Sequence, residues 1–203
     1  MRLFVLFLRA RRAGYAAAML ACVSLLAWAA GREVLSLPVV VVEYLAPVII
    51  FLALLGACVV AAGAGSPFGE AETTASFPLP VLRFAHLGPL LACGAGLFLL
   101  VAIAWDRTFA VPLLLRGLLG LSGMAFIIAF VLGSRLSWTL PMVFVVVIPL
   151  VGDGSGESRW AWWAWVDQPA ADPLAWALAT SFFVVGFWLV CLFRVSEMPG
   201  RAE

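Results

Sequence analysis

Six stretches of this chain run without a charge, or with only one, for close to the ~20 residues that an α-helix needs to cross the roughly 30 Å hydrocarbon core of a bilayer. They cover about residues 13–31, 38–64, 87–105, 109–133, 136–151 and 173–193. The remainder of the 203 residues is taken up by short connections, which leaves no length for a soluble catalytic domain. Composition agrees, since 65% of the chain is apolar and 11% is charged, against about 25% charged in ordinary soluble domains. The chain is therefore expected to be all-α: a polytopic membrane protein with six transmembrane helices, forming one transmembrane domain over 1–203. The fifth stretch is the shortest. Its sixteen residues, with Pro141 and Pro149 near the ends, reach only about 24 Å as a helix.

What is missing narrows the chemistry. All twelve basic residues are Arg; the chain contains no Lys and no Asn. Without Lys there is neither a Walker A loop for ATP phosphates nor a Schiff-base amine, so any ATP-driven step requires another polypeptide. A formal net charge of +1 gives no basic surface for nucleic acid. One His and four Cys spread over separate stretches (Cys22, Cys58, Cys93, Cys191) lack metal-ligand spacing, and the cysteines read as small apolar fillers.

Arginines orient the chain, because basic loops resist translocation. With the N-terminus inside, Arg2, Arg9, Arg11, Arg12, Arg83, Arg135, Arg194 and Arg201 are cytoplasmic, whereas Arg32, Arg107 and Arg159 are outside. This distribution predicts a multi-pass protein with both termini in the cytoplasm. In residues 1–12, Arg2, Arg9 and Arg12 share one helical face beside the Leu3-to-Leu8 apolar run. Either an amphipathic helix lying on the inner leaflet or a basic flap that fixes topology fits this pattern. A competing view takes Ala27-Trp28-Ala29 as a signal-peptidase site, which would leave five spans.

Between the second and third stretches lies the most informative polar segment, residues 66–80. Ser66 can cap a helix whose first position is Pro67, Glu70 and Glu72 fall where the helix dipole favours anions, and Pro78 prevents continuation. A short cytoplasmic helix, stable only when packed against something, is one reading; an ordinary connecting loop is the other.

Six spans without an ATPase motif, an arginine-rich entry segment, and Ser66-Pro67-Phe68-Gly69-Glu70 followed by Pro78-Leu79-Pro80-Val81-Leu82-Arg83 together resemble the ABC-2-type transporter permeases, in particular their actinobacterial branch. The architectural likeness covers the whole chain and the local one about twenty residues. The resemblance implies that segment 66–80 carries a coupling helix whose Glu70, Glu72, Thr73 and Thr74 contact an ABC ATP-binding subunit. It also implies a second permease subunit, a copy or a paralogue, and a hydrophobic or amphipathic substrate moved outward across a bacterial plasma membrane. ATP and Mg would be held by the partner, and this chain would bind no cofactor of its own.

The 152–172 loop is expected outside. It opens with Gly152-Asp153-Gly154-Ser155-Gly156 and continues through Trp160, Trp162, Trp163 and Trp165. Tryptophans suit the headgroup zone, where an indole buries its ring and keeps its N–H wet. They are expected to anchor a re-entrant or interfacial piece, with recognition of an amphipathic substrate as the alternative. Two charges sit inside apolar stretches and need partners. Glu43 and Arg116 enter from the outer side to similar depth, so an intramembrane charge pair is expected, with snorkelling the alternative. Small residues recur at Ala53, Ala57 and Ala61 and at Gly117, Gly120 and Gly123, spacings that let helices approach closely. Gly120-Leu121-Ser122-Gly123 also resembles the nucleophile motif of rhomboid proteases, but the sixth stretch supplies no His base and the chain no Asn. Ser122 is accordingly read as a packing residue and His86, beside Arg83, as an interfacial one; a membrane scaffold without transport is the remaining alternative.

Overall fold

A computed structural model describes residues 13–35, 41–65, 79–106, 110–151 and 162–193. Every regular element among them is helical: α1 (Ala13–Leu35), α2 (Val41–Ala62), α3 (Leu79–Ala104), α4 (Ala110–Leu132), α5 (Thr139–Val151) and α6 (Pro173–Leu192), with short 3-10 turns at Ser134–Leu136 and Trp162–Ala164. Three helices, Pro80–Ala104 within α3, α4 and α6, are long and apolar enough to cross a membrane. By length and composition this is a membrane protein. At thirteen residues, α5 extends only about 20 Å.

Local chemistry sets the ends. Asp172 caps α6, its Oδ1 accepting from the backbone N–H of Leu174 (2.8 Å) and Ala175 (3.3 Å), and Pro173 occupies the first turn, where a missing N–H costs nothing. Gly133 ends α4 at φ 96°, a conformation that disfavours a side chain. Ser137 Oγ and Thr139 Oγ1 then donate to the carbonyls of Ser134 and Leu136, tying down the turn into α5. The third helix begins at Leu79, well before the predicted 87. Pro80 is tolerated because it lies in the first turn, and Arg83 and His86 become inward-facing helical residues. Both are buried within the protein.

Helix α4 is the centre of the bundle: 67% of its most apolar stretch is buried, against 39% for α3 and 28% for α6. One side of it shares a core with α1, α2 and α3 through residues such as Leu20, Ile49, Phe98, Leu114 and Leu118. On the other, Leu121 and Met124 join Ala53, Ala57, Trp165, Val166, Ala175 and Ala179. The small-residue spacing works as close approach. Ala53, Ala57 and Ala61 are fully enclosed. A Cβ on Gly117 would lie 2.7 Å from that of Ala53 in α2, and one on Gly123 would overlap the backbone of Phe182 and Phe183 in α6. Gly186 returns the contact against the carbonyl of Gly123.

The two ends of the bundle differ in composition. At one, Gly63 just beyond α2 lies against Leu90 and His86 of α3, Gly65 lies against Ser134 just beyond α4, and Arg83 reaches the last turn of α6. Gly65, the last described residue after α2, Leu79, the first residue of α3, and Arg135 lie at this end. At the opposite end, the first turns of α4 face the turn that leads into α6.

Candidate functional site

A polar cluster inside the bundle is built around Arg116, two turns into α4. Its side chain is 0% exposed, so a permanent cation sits where water cannot solvate it, and it must find acceptors within the protein. It finds three, all backbone carbonyls. Nη1 donates to Pro169 O at 2.8 Å, while Nη2 donates to Val166 O at 3.1 Å and to Gln168 O. The planar guanidinium suits this task because its donors point in fixed directions and can grip several oxygens of one turn. Asp172 and Asp167 add favourable electrostatic interaction.

The turn so held occupies the space between α2, α4, α5 and α6. After the 3-10 turn Trp162–Ala164 the chain inserts Trp165, which is 2% exposed. Its indole stacks on Phe144 of α5 at 5.7 Å between ring centroids and tilts against Phe182 of α6. Only a glycine at position 120 permits this seat, since a Cβ there would run into the ring. Arg116 and Gly120 are one helical turn apart on α4, so one face of that helix binds the backbone of the turn and admits its largest side chain. Trp176 Nε1 donates to Ala170 O at 2.9 Å and closes the junction to α6.

The predicted site residues distribute as follows. Trp165 is an internal packing residue rather than a headgroup anchor, because Gly120 leaves room for it and the surrounding apolar rings offer more burial than an interface does. Trp163 is half-buried beside the same cluster. For Trp162 only the backbone is described, and Trp160 lies outside the described residues. Glu43 falls in the first turn of α2, but its side chain is outside the described residues, and its predicted pairing with Arg116 with it. Glu70, Glu72, Thr73, Thr74 and the 1–12 entry segment also lie outside the described residues. Ser122 is completely enclosed, and its Oγ has no hydrogen-bond partner among the described residues. Among the described residues no base lies within hydrogen-bond reach of it.

A second buried arginine escaped the sequence reading. Arg83 is 6% exposed and donates from Nη1 to the carbonyls of Val190 (3.0 Å) and Phe193 (2.6 Å) at the C-terminal end of α6. These carbonyls belong to a last turn that lacks onward helical partners, so a cation there satisfies both hydrogen bonding and the helix dipole. Placing the start of α3 at Pro80 would have put Arg83 inside a helix and signalled its need for acceptors. Among the described residues no group of three or more His, Cys, Asp or Glu could hold a metal. No protein-family model, curated protein or solved structure matches this chain.

Proposed function

We propose that this protein is the membrane-spanning permease subunit of an ABC-2-type transporter, crossing a bacterial plasma membrane six times with both termini in the cytoplasm. In this reading it works with a second permease subunit and with separate ATP-binding subunits. Connector 66–78, bearing Glu70, Glu72, Thr73 and Thr74, is the contact for the ATP-binding partner. ATP closure of that partner moves the connector and biases the bundle between inward-open and outward-open arrangements; only a difference in binding free energy between the two states makes the conversion directional. A hydrophobic or amphipathic compound is the expected cargo, and export the expected direction.

The observation that supports the reading is where the described helix ends on either side of residues 66–78 lie. The end of α2, the start of α3 and the end of α6 meet on one end of the bundle, together with Arg83 and Arg135. An acidic connector at an arginine-marked end is what a cytoplasmic docking element requires under the positive-inside rule. The absence of Lys supports a partner as the source of ATP hydrolysis. Purification from native membranes tests this directly. A Walker-A-bearing protein should co-purify and be lost when Glu70→Lys is combined with Glu72→Lys, while membrane insertion persists. Isolation of the chain without any ATPase, or undiminished complex formation by the double variant, would refute the assignment.

A further inference from the structure

Of the three arginines whose side chains are described, Arg83 and Arg116 are buried against carbonyls and Arg135 is not. Arg135 stands exposed in the turn between α4 and α5, and among the described residues its guanidinium has neither a hydrogen bond nor an ion pair. The turn that carries it is held from inside. Gly133 opens it at φ 96°. The N–H groups of Leu136 and Ser137 donate to the carbonyls of Gly133 and Ser134, and buried Ser137 donates from Oγ to Ser134 O at 2.9 Å. Gly65 lies against Ser134. What is left to the outside is Arg135 with Trp138, which is 49% exposed and whose indole N–H has no acceptor among the described residues. The backbone is helical at Ser134–Leu136, right-handed at Ser137 and α-helical from Thr139, so residues three or four apart share a face. Arg135, Trp138, Met142 and Val146 follow that spacing, and all four are exposed.

We infer that this face binds one anionic phospholipid, its phosphodiester held between the Arg135 guanidinium and the Trp138 indole N–H and one acyl chain laid along Met142 and Val146. The side chains change along the face in the order in which a phospholipid changes: a cation, an amphipathic ring with a free donor, then apolar carbon. A guanidinium meets phosphate oxygens with paired donors, and an indole is at home at headgroup level. Charge selects the class of lipid. The carboxylates among the described side chains, Asp106 beyond α3 and Asp167 and Asp172 before α6, lie at the opposite end of the bundle. The Arg135 end therefore attracts a headgroup of net negative charge, such as phosphatidylglycerol, more than one that carries its own ammonium. Such a lipid fixes the start of α5 at headgroup level, which a helix of thirteen residues cannot achieve by spanning the core. The site requires only that the chain lies in a bilayer, and it holds for a permease or a scaffold alike.

The test titrates the full chain, in a non-ionic detergent, with dioleoyl phosphatidylglycerol or dioleoyl phosphatidylethanolamine and counts bound lipids by native mass spectrometry. The first phosphatidylglycerol should bind more tightly than phosphatidylethanolamine. Arg135→Met should weaken it about fivefold, Arg135→Lys should weaken it less, and Trp138→Phe, which keeps a ring but loses the donor, should weaken both lipids. Phosphatidylglycerol with a diazirine in its acyl chain locates the site: photolysis should label Thr139–Val151 in the unaltered protein and not in Arg135→Met. Equal phosphatidylglycerol binding by the unaltered protein and Arg135→Met overturns the site, as does equal binding of the two lipids or label spread evenly over the helices. Displacement of the lipid by millimolar inorganic phosphate would show that a free anion is the ligand and overturn the lipid assignment. If Arg135→Met does not fold, the unaltered protein decides: a preference for phosphatidylglycerol that survives about 1 M ammonium acetate, where exposed charges are screened within a few ångströms, overturns the role of Arg135.

Discussion

Replacing Arg116 by Met is the most informative perturbation of the bundle, because two large effects oppose each other and the structure decides between them. Met removes the buried charge and with it the desolvation that burial imposed, which is why exchanging a buried ion pair for apolar residues is often neutral or stabilising. Here, however, the acceptors are the carbonyls of Val166, Gln168 and Pro169, and no substitution can delete a carbonyl. Pro169 lies on the exposed side of the turn, but Val166 and Gln168 are buried; each interior carbonyl left unsatisfied costs about 1–3 kcal/mol, so the two cost about 2–6 kcal/mol. Methionine has no donor to offer, and the turn cannot leave without also withdrawing Trp165 from its seat on Gly120. Net destabilisation of about 2 kcal/mol or more is expected, equivalent to a melting temperature roughly 4–8 °C lower at the scale of a chain of this size. Thermal unfolding in detergent, followed by tryptophan emission, measures it, and because Trp165 belongs to the turn that Arg116 holds its emission should shift red before global unfolding. Arg116→Lys should recover only part of the loss, since one ammonium cannot reproduce the planar fork. An unaltered or raised melting temperature in Arg116→Met would mean that the carbonyls find other donors and that the arginine does not hold the turn.

Other expected outcomes follow from the same packing. Gly123→Ala should destabilise the bundle by roughly 1–3 kcal/mol, because the added methyl meets the backbone of Phe182 and Phe183, which cannot rotate aside as a side chain would; equal melting temperatures would show that α4 and α6 sit further apart. Trp165→Ala should cost about 3–5 kcal/mol through the cavity it leaves, with a loss of protection at the Val166–Ala170 amides in hydrogen exchange as the local sign. Ser122→Ala should be neutral or stabilising by up to about 1 kcal/mol, since it removes a buried hydroxyl that has no partner; loss of a proteolytic activity in that variant would instead revive the enzyme alternative. Membrane-impermeant thiol labelling of single cysteines at positions 70 and 135 in intact cells should fail at both and succeed after permeabilisation. Labelling of either in intact cells contradicts the proposed orientation.

Much of the scaffold was open to inspection before any coordinates. Hydrocarbon-length apolar stretches are a one-dimensional signal, because in lipid a backbone must bond to itself and a helix does so locally. The spacing of Gly117, Gly120 and Gly123 announced close helix contact, though not with three different neighbours: Ala53 in α2, Trp165 in the turn, and the backbone of α6. The uncharged stretch begins only at Leu87, after Arg83 and His86, whereas α3 begins at Leu79 with Pro80 in its first turn. That shift of one element hid Arg83.

The candidate site was only half legible. A lone arginine within an apolar stretch states that acceptors must exist, and an acidic residue at similar depth, Glu43, was the natural candidate. The acceptors observed are carbonyls, which every residue carries and which therefore leave no trace in the order of side chains. That Trp165 turns inward was likewise beyond a sequence reading, since its seat is a gap on another helix 45 residues away at Gly120. Amino-acid order alone determined the solvent, the class of fold and the need to compensate a buried cation, because burial energy and helix length are properties of single segments. Tertiary structure alone decided which backbone atoms meet Arg116 and Arg83, because only the packing of one helix against another brings them within the short reach of a hydrogen bond.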